Sequence, residues 1–253
     1  MGAATSTVDD EDVERFSRIA EQWWDENGKF RPLHLINPVR LQYIQQQACR
    51  HFGRDADKLK SLSGLSLLDI GCGGGLMAEP LTRMGAKVTA IDASEKNIKV
   101  ASLHAEKMGL DIDYRCTTPE ELLRSSHDAS SLTKSYDIVL ALEIVEHVAD
   151  VPMFLNACTK MVKPGGILFM STLNRTFKSY AMAIAGAEYV LRWLPRGTHQ
   201  WKKFLKPSEL CAGLRRENMT IHHMTGMAFN PLKNTWSLDD KDLDVNYLLT
   251  ATC

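Results

Sequence analysis

Leu67-Leu-Asp-Ile-Gly-Cys-Gly-Gly-Gly75, "LLDIGCGGG", is the stretch on which the reading of the fold turns. Its apolar start belongs to a buried strand, "LSLLDIG" from Leu65, and its glycines lead into helical spacing over Leu76–Met84. Glycines at a strand-to-helix turn let the backbone bend tightly and come close to a ligand. The same rhythm continues downstream. "AKVTAID" reads as a strand followed by a helix over Ser94–Met108, "IDYRCTT" as a third strand and "YDIVLALE" as a fourth. A helix over Val151–Val162 ends at "KPGG", and "GILFMSTLN" makes a fifth strand. Alternation of this kind builds right-handed βαβ units and a parallel sheet with helices on both faces.

Outside that core, Asp9–Asn27 carries Val13, Phe16, Ile19, Ala20, Trp23 and Trp24 at helical spacing, led by acids and followed by Gly28. Asn37 and Pro38 read as N-cap and first residue of a second helix running towards Phe52. After Pro207 come a helix over Ser208–Glu217 and two strand-like runs, "MTIHHMTG" and "DVNYLLTA", expected to pair as an edge hairpin. The expected architecture is therefore one α/β domain. It has a Rossmann-like, doubly wound, mostly parallel seven-stranded sheet, an antiparallel C-terminal edge strand, an N-terminal helical cover and a lid insertion. The parts fall at residues 9–52 (cover), 65–174 (core), 176–206 (insertion) and 207–253 (C-terminal helix and strands).

Composition narrows the class. The chain has 253 residues, 44% of them hydrophobic and 24% charged, in the range of a soluble globular domain. A formal net charge of −1 gives no reason to expect nucleic acid as a partner. Its six cysteines, Cys49, Cys72, Cys116, Cys158, Cys211 and Cys253, form no C-x-x-C pair, which argues against a disulfide framework or a structural zinc site. No apolar run is long enough to span a bilayer.

The glycine spacing separates two ligand classes. A dinucleotide site has G-x-G-x-x-G with a helix N-terminus aimed at a pyrophosphate. Here Gly71, Gly73 and Gly75 follow Asp69, whose negative charge would repel a diphosphate and attract a ligand with an amino group and a sulfonium. Asp92 ends the second strand, where a carboxylate can accept ribose hydroxyls. Packing alone is the bland alternative for these glycines.

Ala141–Val148, "ALEIVEHV", then ends the fourth strand with two carboxylates and an imidazole. The carboxyl end of that strand lies beside the glycine loop in a doubly wound sheet, on the rim where ligands bind. Glu143, Glu146 and His147 either cap a helix there or hold a divalent ion, and an oxygen-rich set suits Mg²⁺ or Mn²⁺. A chelated catechol or phenol would lose its proton more readily and be aligned for attack on a sulfonium methyl.

The Asp69–Gly75 and Asp92 motifs resemble those of the class I S-adenosylmethionine-dependent methyltransferases. A wider set of segments is similar to the ubiquinone-biosynthesis O-methyltransferases: "EQWWDENGKFRPLHLINPVRLQYI", "EIVEHVADVPMF", "KPGGILFMSTLNRT" and "LPRGTHQWKKFLKPSEL". The likeness runs from about Phe16 to Tyr247. It implies methyl transfer to a polyprenylated phenol or catechol, including the demethylated ubiquinol, with Mg²⁺ or another divalent cation. It also implies that Arg40 reaches the cofactor's carboxylate, Leu142 lines the adenosine pocket, and Glu143, Glu146 and His147 ligate the metal. The cofactor's methionine part falls on the Gly71 loop and its ribose on Asp92. Other proteins of ubiquinone biosynthesis are implied partners. The implied place is peripheral on a membrane: the matrix side of the mitochondrial inner membrane, or the cytoplasmic face of a bacterial inner membrane.

Residues Thr176–Lys206 are too many for a simple connection. "SYAMAIAGAEYVLRWL" is apolar with helical spacing, and Arg196, Lys202, Lys203 and Lys206 follow, with Trp193 and Trp201 among them. That pattern fits a helix lying in a membrane interface, or a lid packed on the site. His199, in "RGTHQW", is the candidate general base for a phenolic proton. His222 and His223 read as structural or exposed. The rival functions are a metal-independent methyltransferase with another small acceptor, and a cofactor-binding scaffold subunit.

Overall fold

The computed structural model describes residues 7–124, 136–182, 200–230, 233 and 235–253. A single sheet has the order β3-β2-β1-β4-β5-β8-β6-β7. Its parallel part is β3 (Asp113–Cys116), β2 (Lys87–Asp92), β1 (Ser66–Ile70), β4 (Tyr136–Leu142) and β5 (Val162–Leu173). Three antiparallel strands complete it: β8 (Asn246–Thr252), β6 (Thr220–Asn230) and β7 (Thr235–Asp239). Among the described residues eight strands stand where seven were expected. The two late runs do pair, but β8 inserts between β5 and β6, and the edge belongs to β7.

The helices are α1 (Asp10–Ser17), α2 (Arg31–His51), α3 (Ala78–Arg83), α4 (Glu95–Lys107), α5 (Pro119–Arg124), α6 (Val151–Lys160), the single turn α7 (Phe177–Ser179) and α8 (Pro207–Arg216). Ser94 and Asp150 cap α4 and α6, each accepting from the backbone N–H three residues on. The first apolar stretch is not one helix. It stops at Ser17, whose hydroxyl meets Ser94 at 2.5 Å, and a tight turn over Ala20–Gln22 carries the chain on. The second helix begins at Arg31 with Pro32 in its first turn, so Pro38 lies inside it rather than at its start.

Both faces of the sheet are covered. Leu68, Ile70, Val139, Leu168 and Met170 face α6 and α8, while Leu67, Val88, Ile138, Leu140 and Phe169 face α2 and α3. All of these strand residues are buried, which is why the parallel strands read as apolar runs rather than alternating ones. The order reverses between β1 and β4. Ligands of doubly wound sheets bind in the crevice at the carboxyl ends of the strands at that reversal.

Candidate active site

A cavity of about 250 Å³ lies at that reversal. Arg40, Asp69, Gly71, Gly73, Asp92, Leu142, Glu143, Glu146 and His147 all line it. Residues far apart in sequence are therefore brought to one place. Gly75 sits behind the loop, its backbone against Tyr114. His199 lies outside the described residues, as do Trp193 and Arg196.

At the glycine-loop end, Asp69 is 3% exposed and its Oδ2 has no hydrogen-bond partner. Burial, with a further push from the charge of Asp92, raises its pKa to about 7. Arg40 enters from α2, is 4% exposed, and its Nε likewise lacks a partner. Its other nitrogens donate to Asn37 Oδ1 at 3.2 Å and to Glu143 Oε1 at 2.9 Å. A buried orphan acceptor and a buried orphan cationic donor suit a ligand that carries both an ammonium and a carboxylate. The residues therefore fit the amino-acid end of the expected cofactor.

Asp92 is held firmly. Its Oδ2 accepts from the Gly73 N–H at 2.9 Å, and its Oδ1 accepts from Ser94 N–H at 2.8 Å and Asn97 Nδ2 at 3.1 Å. Burial pushes this carboxyl upward against those three donors. Gly73, with φ of +53°, and Gly74 do allow a close approach, but the group that approaches is protein. A Cβ on either would run into the indole of Trp23.

The acidic turn after β4 is organised differently from the sequence expectation. Glu143 sits in the left-handed region at φ +53°, an uncommon state for a side chain of this size. Its Oε1 accepts from Arg40 and from Ser171 Oγ at 2.8 Å. Glu146 is 3% exposed; Thr172 Oγ1 donates to its Oε2 at 2.9 Å, and Oε1 has no partner. Burial, and then the neighbouring Glu143, push the Glu146 carboxyl well above the usual range. His147 turns the other way, its Nδ1 3.1 Å from Asp12 Oδ2 on α1. Glu143 is thus shared between α2 and β5, Glu146 is held on β5, and His147 turns away to α1. Among the described residues no three His, Cys, Asp or Glu side chains group so as to hold a metal ion. The expected ligand trio does not fit an ion in this arrangement.

Sequence reasoning missed the contribution of the N-terminal segment. Asp12 is 5% exposed and lines the cavity beside His147. Burial disfavours its charge, but the His147 bond and the charges of Arg15 and Lys203 outweigh that and hold its pKa below the usual value. Lys203 ties the segment down from the far side, 2.6 Å from Asp9. The backbone of Thr7 accepts from Ala149 N–H at 2.8 Å, and its hydroxyl donates to Glu120 at 2.6 Å. Val13, Phe16 and Ile19 give the cavity an apolar wall. Only the helical spacing of those three was visible beforehand.

Comparison with known proteins adds independent findings. A family model described as a methyltransferase domain matches residues 41–224. A ubiquinone biosynthesis O-methyltransferase of Rhizobium leguminosarum bv. trifolii is 54% identical over 98% of this chain and 95% of its own length. The protein of the same description from Nitrobacter winogradskyi is 52% identical over 98% of this chain and 92% of its own. Among solved structures, an S-adenosylmethionine-dependent methyltransferase of Thermotoga maritima, a possible histamine N-methyltransferase, superimposes with a TM-score of 0.63 at 17% identity. That superposition covers 94% of this chain and 98% of the other. Magnesium protoporphyrin IX methyltransferase of Synechocystis, with S-adenosylmethionine bound, gives 0.59 at 18% identity over 99% of both chains. These two likenesses bear on the fold.

Proposed function

The chain belongs to the ubiquinone biosynthesis O-methyltransferase family and is an S-adenosylmethionine-dependent methyltransferase, and from this premise we propose its acceptor: a catechol-type hydroxyl on a polyprenylated ring, the demethylated ubiquinol included. One observation carries the reading. One cavity is lined both by Asp69 and Arg40, each with an orphaned polar atom, and by the apolar side chains of Val13, Phe16 and Ile19. A polar methyl donor and an apolar aromatic acceptor are the pair such a cavity suits.

When bound, the cofactor supplies an electrophilic methyl on a sulfonium. Asp69 would take its ammonium, Arg40 its carboxylate and Asp92 its ribose, while Leu142 packs at the adenosine. The chain's own work is then orientation and proton management. Val13, Phe16 and Ile19 exclude water and place the ring. The acceptor's proton must leave as its oxygen becomes the nucleophile, and His147, fixed by Asp12, lies in the cavity wall to receive it. His199 is the alternative base named by the sequence.

A divalent cation would acidify the hydroxyl and hold it in line. Glu143, Glu146 and His147 would first have to give up Arg40, Thr172 and Asp12, so proton removal rests on the chain's own groups. For the prenyl tail, Phe177 at 83% exposure, Tyr180, Met182 and Trp201 offer an exposed apolar rim at the ends of the insertion. We assign that rim to a peripheral membrane contact. No helix among the described residues is long and apolar enough to cross a membrane.

The test is transfer of labelled methyl from S-adenosylmethionine to a short-tailed catechol analogue, with EDTA and then with Mg²⁺ restored. Product on the ring hydroxyl supports the acceptor class, and none with the cofactor bound refutes it. Activity that survives EDTA leaves the acidic turn with its protein partners; loss and recovery with Mg²⁺ would require their exchange.

A further inference from the structure

Trp23 and Trp24, adjacent residues of the N-terminal cover between the Ala20–Gln22 turn and α2, are both turned onto the glycine loop. The Trp23 indole is 7% exposed and stacked on Phe30, with centroids 3.7 Å apart and planes 8° from parallel. It fills the space over Gly73 and Gly74. Trp24 donates from Nε1 to the Gly74 carbonyl at 3.0 Å and stacks on His104 at 3.5 Å, whose Nδ1 lies 2.6 Å from buried Glu79. Two indoles thus hold one loop.

The polar edge of Trp23 does more than pack. Its Nε1–H donates to Asn97 Oδ1 at 2.9 Å, and Asn97 Nδ2 donates to Asp92 Oδ1 at 3.1 Å. An indole N–H can only donate, so Asn97 must show it the oxygen and keep its amide nitrogen for Asp92. Asn97 is 3% exposed, so water does not stand in for either partner. Asp92 is therefore pinned by Gly73 of the loop, Ser94 at the cap of α4 and Asn97 within α4. Of the roughly four lone-pair directions of a carboxylate, little beyond one remains for a ligand, and the relay decides where it points.

We propose that Trp23 is a positioning residue for the cofactor: through Asn97 it orients the Asp92 carboxylate towards the ribose hydroxyls, while seating the N-terminal segment as a wall of the cofactor cavity. This rests on the cofactor reading given above. It makes a residue in the cover, 69 positions before Asp92, part of what sets cofactor affinity.

The experiment is calorimetric binding of S-adenosylhomocysteine to the full chain and to Trp23→Phe, Asn97→Asp and the double variant. Phenylalanine keeps the stack and removes the donor. Asn97→Asp keeps the acceptor for the indole but replaces the Asp92 donor with a like charge. Trp23→Phe is expected to bind roughly tenfold more weakly, the loss of one buried hydrogen bond and the orphaning of its acceptor. Asn97→Asp loses at least as much. The double variant should be no weaker than Asn97→Asp alone, because coupled residues do not add. KM for the methyl donor should rise with kcat at saturation unchanged, which a packing role alone would not produce. Wild-type affinity in Trp23→Phe, or additive losses in the double variant, would overturn the proposal. If Trp23→Phe does not fold, unchanged affinity in Asn97→Asp overturns it by itself. A wild-type chain that binds no S-adenosylhomocysteine sinks the cofactor reading and the relay together. Cofactor binding without catechol methylation sinks only the acceptor assignment and leaves the relay standing.

Discussion

Replacing Asp69 by asparagine should change how stability depends on pH, and the size of the change follows from the site. Asp69 lies near the end of β1 at 3% exposure with Oδ2 unpartnered, and its pKa stands at about 7 against an ordinary 3.8. Burial is the main cause and the neighbouring Asp92 the second. A carboxyl raised in this way is protonated in the folded chain at pH values where the unfolded chain has already released its proton. The folded state then binds more protons, so stability falls as pH rises. The contribution is fully present below about pH 4 and is gone once pH passes about 7. The loss runs at about 1.4 kcal/mol per unit below the folded pKa and at half that near it, or about 3 kcal/mol in all between pH 5 and pH 8. The asparagine side chain has no proton to exchange in this range. Asp92 and Glu146 are shifted in the same direction, so the wild-type slope alone decides nothing. Urea unfolding of both ligand-free proteins at pH 5 and pH 8 isolates Asp69 as a difference of differences. The wild type should lose about 3 kcal/mol more than Asp69→Asn across that range. Equal losses would refute the argument. Saturating S-adenosylhomocysteine should stabilise the wild type more at pH 8 than at pH 5, since an ammonium is best received by the ionised carboxylate, and Asp69→Asn should lose that preference.

Two further substitutions read the packing of the site. Glu143→Ala leaves the Arg40 guanidinium, 4% exposed, with Asn37 as its remaining partner and should cost about 3 kcal/mol in chemical unfolding; under about 1 kcal/mol would mean the pair is not held in solution. Gly74→Ala drives a methyl into the Trp23 indole and should cost about 1–3 kcal/mol. Adding Trp23→Ala should remove most of that extra cost, and strict additivity in the double variant would show that the indole is not the obstacle.

The α/β core was legible because its strands are buried on both sides. Leu67, Leu68, Val139 and Leu140 leave no alternation to misread, and Ser94 and Asp150 mark their helices by capping chemistry. The pieces that were misplaced depend on distant partners. β7, Thr235–Asp239, is a strand because it pairs with Gly226–Asn230, and its own five residues carry only a weak alternation of Trp236 and Leu238 with polar neighbours. Pro38 drew the start of α2 seven residues too late, since Pro32 supplies the first-turn proline and Pro38 is accommodated inside the helix. Asp12 looked like one of several acids favouring a helix N-terminus. Its burial follows from His147, 135 positions away, and no local pattern announces such a pair.

The "ALEIVEHV" turn shows why spacing alone misjudges a site of this kind. Glu143, Glu146 and His147 are close enough in sequence to suggest one bound group, yet the backbone disperses them. The positive φ at Glu143 swings the chain out of β4 into a tight turn over Val145–His147. Their partners then differ: Arg40 of α2 and Ser171 of β5 at Glu143, Thr172 of β5 at Glu146 and Asp12 of α1 at His147. The turn is a junction between the sheet and the N-terminal cover as well as part of the cavity wall. Orphan atoms remain at this junction on Arg40 and Glu146, so its polar groups are incompletely satisfied by the protein itself. Buried groups left in that state cost free energy that a ligand can recover. Arg40, which joins α2 of the cover to Glu143, is one such group, so a ligand that meets its free Nε acts on a residue that also fastens the cover.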